Sequence, residues 1–82
     1  MMGGAMSRAD IRHMFRQAER LQARANRCEA ESDEYWGQWK QTGDPDAETR
    51  MLAAARQADD LRVQAETLFG KAMRIYHTMI FG

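Results

Sequence analysis

Two apolar stripes, each stepping by three and four residues without a slip, flank a single strong turn signal at Gly43-Asp44-Pro45. The first runs Ile11, Met14, Ala18, Leu21, Ala25, Cys28, Ser32, Tyr35, Trp39, and the second Met51, Ala54, Ala58, Leu61, Ala65, Leu68, Ala72, Ile75, Met79. Alternating three–four spacing sustained over this length is the signature of helices packed as a coiled coil. Strands have little to form from: Val63 is the only valine, and no run alternates apolar with polar. The pattern therefore predicts an all-α fold, an antiparallel helical hairpin of coiled-coil type.

Local signals set the ends. Ser7 followed three residues later by Asp10 is a shortened capping box. Thr42-Gly43 gives a helix stop, Asp44 an N-cap, and Pro45 a first helical residue whose missing amide hydrogen costs nothing. These place a flexible lead at residues 1–6 and a single domain over 7–82, with helices over about 8–41 and 45–80 joined by a turn at 42–45. Folding back on Gly43 brings together residues whose numbers add to 86. Met14 then meets Ala72, Ala18 meets Leu68, Leu21 meets Ala65, and Ala25 meets Leu61, a large residue against a small one at each level. Gly37 and Gly70 fall on the outermost positions, away from the seam.

A chain of 82 residues buries only about 60% of its unfolded surface, and a two-helix seam rich in alanine adds little to that. Apolar residues off the stripe need another home: Phe15 and Trp36 in the first helix, and Leu52, Phe69, Met73, Tyr76, Ile80 and Phe81 in the second. Most gather at the terminal end. Phe15, Phe69, Met73, Tyr76 and Ile80 form the expected partner interface, completing a four-helix bundle by homodimerisation or docking on a larger protein.

Charge is segregated although its sum is zero. Residues 1–27 carry +4, with Arg8, Arg12, Arg16, Arg20, Arg24 and Arg27 against Asp10 and Glu19. Residues 28–49 carry −6, with Glu29, Glu31, Asp33, Glu34, Asp44, Asp46 and Glu48 against Lys40. In a hairpin the terminal end is thus basic and the turn end acidic. The arginines are candidate anion-binding residues, the footprint of a small nucleic-acid regulator; because the ladder drifts around the helix, a solvated outer face is the favoured expectation. The acidic residues are a candidate docking end, as in a plasmid- or phage-type inhibitor that mimics nucleic-acid phosphates. Ten arginines to two lysines, with abundant alanine, suit a GC-rich bacterial, plasmid or phage source.

Chemistry has no candidates. Cys28 is the one cysteine, so no internal disulfide or cysteine-based zinc site is expected, and a reducing compartment fits. His13 and His77 lie toward the same end without the further ligands a zinc site takes. No phosphate-binding glycine loop or HExxH motif occurs. No stretch approaches the roughly 18 apolar residues of a membrane span, and no leader pattern precedes a cleavage site. The expectation is a cytoplasmic protein that is not an enzyme and takes no cofactor, metal, membrane or small-molecule substrate.

Overall fold

A computed structural model describes residues 7–81; the lead expected at 1–6 lies outside the described residues. Helix α1 spans Arg8–Thr42 and helix α2 spans Pro45–Phe81, packed against each other as a hairpin. At about 1.5 Å per residue, 37 residues of α2 make a rod close to the observed 60 Å long axis, so each helix runs the length of the molecule.

The ends form where the local chemistry places them. The Ser7 amide donates to Asp10 Oδ2 at 3.0 Å, and the Asp10 amide donates to Ser7 Oγ at 3.2 Å, closing the capping box. Gly43 takes the left-handed conformation, φ 68°, which glycine adopts without a Cβ penalty, and its amide donates to the Trp39 carbonyl at 2.7 Å. The Thr42 hydroxyl donates to the Gln38 carbonyl and accepts from the Asp44 amide, and Asp44 Oδ1 accepts from the Asp46 amide at 3.0 Å. The reversal is thereby satisfied by its own residues.

Both stripes face inward. Ile11, Met14, Ala18, Ala25 and Ser32 of α1, and Ala54, Ala58, Leu61, Ala65 and Ala72 of α2, are buried, while Leu21, Cys28, Tyr35, Trp39, Met51, Leu68 and Ile75 are half-buried. Cross-helix contacts at Phe15–Phe69, Ser32–Met51 and Tyr35–Arg50 join residues whose numbers add to 84, 83 and 85, close to the expected 86. The stripe extends one step further than the sequence reading had it, because Ala47 is buried too. At the other end Met79 departs from its expected seam position and is 45% exposed. In the expected register Met79 lies level with Ser7, ahead of the first residue of α1.

The enclosed core is thin. Among the described residues seven of its ten apolar members are alanine, and no large side chain is fully buried. Ser32 supplies a buried polar contact across the seam: its hydroxyl, 9% exposed, donates to the Met51 carbonyl at 3.0 Å. A Cβ built on Gly37 or Gly70 would meet nothing within 4 Å, in keeping with outward-facing positions.

Two outcomes follow from this packing. Ala65→Asp, which buries a carboxylate with no partner, should abolish the cooperative helical melt in circular dichroism. Gly70→Ala should instead stabilise the hairpin by about 0.5–1 kcal/mol, raising its midpoint by several degrees. A native-like melt for the aspartate variant would reject the seam.

The cap also carries a pH signature. Asp10 titrates below the ordinary aspartate range, chiefly because the Ser7 amide donates to its carboxylate, then through the Ser7 hydroxyl and nearby His13. A depressed folded value means that the cap's contribution is complete above the unfolded pKa and is lost as pH falls through the folded one. Amide exchange at the first turn of α1 should therefore accelerate on acidification below the usual aspartate range, and Asp10→Asn should remove that step.

Candidate interaction surfaces

Antiparallel heptad packing gives the hairpin two long sides, each built from both helices. On one side α1 contributes Arg8, Arg12, Phe15 and Trp36, and α2 contributes Leu52, Phe69, Met73, Tyr76 and Ile80. Phe15, half-buried, meets Phe69 edge-on with ring centroids 5.2 Å apart and planes at 66°, a geometry that aromatic quadrupoles favour. Ring contact between the two helices leaves Phe69 itself 50% exposed.

Around this pair the surface is concave. Arg8, Ile11, Arg12, Phe15, Tyr76, Met79 and Ile80 line an open cleft at the terminal end. A second groove, lined by Ala18, Glu19, Gln22, Ala65, Glu66 and Phe69, continues toward the middle, floored by the small seam residues. All five expected interface residues thus lie on one continuous side. Tyr76 is 44% exposed, Met73 46% and Ile80 50%, large apolar values for a chain whose core is mostly alanine. Trp36, tilted over Trp39 at 5.3 Å with Lys40 Nζ 5.8 Å from its centroid, and Leu52 are exposed nearer the turn.

The arginine ladder divides between the sides. Arg8 and Arg12 rim the apolar cleft, Arg16 sits with Ala9, Arg12 and His13 on the back of α1, and Arg20 and Arg24 line a groove with Gln17, Leu21 and Leu68 on the opposite side. All six, including Arg27, are exposed. The seven acidic candidates are exposed as well. Among them Glu29 is ion-paired with Arg62 across the helices, and Asp44 is occupied as a cap. The Glu29–Arg62 pair is surface-accessible and contributes little stability.

Other candidates are not brought together. His77 stacks on Phe81 at 4.6 Å while His13 lies beside Asp10, and no group of three or more metal-ligating side chains converges among the described residues. Cys28 is free and half-buried rather than enclosed. No described helix is long and apolar enough to cross a membrane. Phe15–Phe69 and Glu29–Arg62 went unforeseen, yet both join positions that flank the stripe on the same side, the two rings at one level and the ion pair about one heptad apart along the rod.

No family model matches the chain, and neither a curated protein nor a solved structure does. Its function must be read from these two sides. If the aromatic pair anchors the apolar side, a double-mutant cycle of Phe15→Ala and Phe69→Ala should give a coupling of about 0.5–1.5 kcal/mol in urea denaturation; strict additivity would show the rings to be independent.

Proposed function

We propose that the chain is a non-catalytic interaction module that works as a homodimer, two hairpins packing antiparallel through the side centred on Phe15, Phe69, Met73, Tyr76 and Ile80 to make a four-helix bundle. The observation that carries this reading is the inversion of burial: among the described residues nine large hydrophobic side chains are exposed while seven of ten buried ones are alanine. A surface of that kind on so small a fold is an interface by default. A two-fold axis lets the same patch serve both copies.

Charge supports the antiparallel direction. The arginine-bearing end of one hairpin then lies beside the acidic turn end of the other, whereas the parallel arrangement sets like against like. Trp36 and Leu52 near the turn would face the partner's terminal cleft, placing apolar surface on apolar surface. Free Cys28, with no second cysteine in this chain, suits a reducing, cytoplasmic setting.

Sedimentation equilibrium across concentration and salt tests this reading. A dimer is expected at micromolar concentration, tightening as salt is lowered, and Tyr76→Asp should return it to monomer. A folded monomer at every concentration would reject the homodimer and leave a larger protein as the occupant.

A further inference from the structure

The opposite side of the hairpin differs from the apolar one in its charge. Between the terminal end and mid-length it presents Arg20, Arg24 and Arg27 from α1 toward the middle and Lys71 and Arg74 from α2 nearer the terminal end, all exposed, with Asp10 and Asp60 the acids on that stretch. Gln17, Arg20 and Arg24 edge a groove floored by Leu21 and Leu68. The ion pair found among the described residues, Arg62 with Glu29, lies on the other side, so these five cations have no carboxylate partner. Within α1, Arg20 and Arg24 stand at i, i+4 with Arg27 three residues further on, a like-charge spacing that local helix energetics disfavours.

We propose that this side binds the phosphate backbone of a nucleic-acid duplex, without sequence preference. Four of the five cations are arginine, whose planar guanidinium grips phosphate oxygens bidentately. By helix rise the strip extends roughly 25 Å along the two helices, which calls for a polyanion of dense and regular charge. No aromatic residue occupies the strip, so it has no platform on which to stack unpaired bases, and a duplex suits it better than a single strand. Apolar residues that would enter a lipid interface are on the far side, which disfavours a membrane surface. The strip is separate from the dimer face, and duplex binding does not require dimerisation.

Fluorescence anisotropy with short labelled DNA and RNA duplexes of unrelated sequence tests the assignment. Binding should be sequence-independent and should weaken between about 50 and 200 mM salt with a log–log slope of about −4.5, as about five phosphate contacts require. Arg20→Gln/Arg24→Gln/Arg27→Gln should lower affinity at least ~10-fold at low salt and flatten the slope by nearly 3, with the helical melt intact. Arg50→Gln/Arg56→Gln, at the turn half, serves as a control that should leave binding nearly unchanged. Absence of binding at low salt, a triple variant that binds like the parent, or tighter binding to polyglutamate or phosphatidylserine vesicles than to duplex would each overturn the assignment. So would a triple variant whose only defect is loss of self-association.

Discussion

Small residues along the seam govern what the rest of this molecule can do. Ala18, Ala25, Ala54, Ala58, Ala65 and Ala72 let two helices pack in register over the full rod, but each encloses little apolar volume. Met14, Ile11 and Leu61 are the larger side chains that the seam buries well. Other large side chains on the seam, among them Leu21, Tyr35, Trp39, Leu68 and Ile75, are only half-buried, and further aromatic and long aliphatic residues stand on the flanks. Phe15 and Phe69 illustrate the consequence: the rings meet across the edge of the seam, stabilising the pair while leaving one face of Phe69 in water. An exposed apolar side is thus the geometric counterpart of an alanine core.

The turn imposes a second constraint, because it sets each helix terminus beside the opposite terminus of its neighbour. α2 has no basic residue in its last turn, where the macrodipole would favour one. Arg8 and Arg12 share a cleft with Tyr76, Met79 and Ile80, so α1 supplies positive charge to the end of α2. Arginines that are unfavourable within α1 are in this respect favourable within the hairpin. At the turn, α1 ends with Lys40 while α2 begins with Asp46 and Glu48, the arrangement each helix prefers by itself. This offset concerns Arg8 and Arg12 alone; Arg20, Arg24 and Arg27 sit too far along the rod to share in it.

Much of this was legible in the sequence, for a physical reason: the signals were local or strictly periodic. Ser7 with Asp10, Gly43 and Pro45 each act within a few residues, and the three–four spacing identifies an inward face whatever lies opposite. Met79 misled because periodicity continues past the point where a partner helix exists. Ala47 was overlooked because alanine near a helix start gives a weak hydrophobic signal, although it stands level with Trp39 and repeats the large-against-small rule. The Ser32 hydroxyl donating to Met51 was hidden because a serine in an apolar stripe announces no partner; only the register supplies the carbonyl. For the interaction residues, the sequence could group Phe15 with Phe69, Met73, Tyr76 and Ile80 by composition and position. Assigning the arginines to sides required the sense in which the flanking positions pair.

That sense also determines how the two sides could cooperate. An antiparallel dimer formed through the apolar sides has its two-fold axis in the plane between the hairpins and perpendicular to their length. Such an axis turns the basic strips outward in opposite directions and carries them to opposite ends of the bundle. Two strips so placed cannot lie along one straight duplex together, and dimerisation would therefore add no avidity for a single duplex. It would instead present two separate backbone-binding surfaces, one on each outer face, joined by a rigid bundle about as long as the hairpin itself. A protein with both properties would bridge two duplex segments rather than clamp one, and the spacing between them would be fixed by the thickness of the bundle.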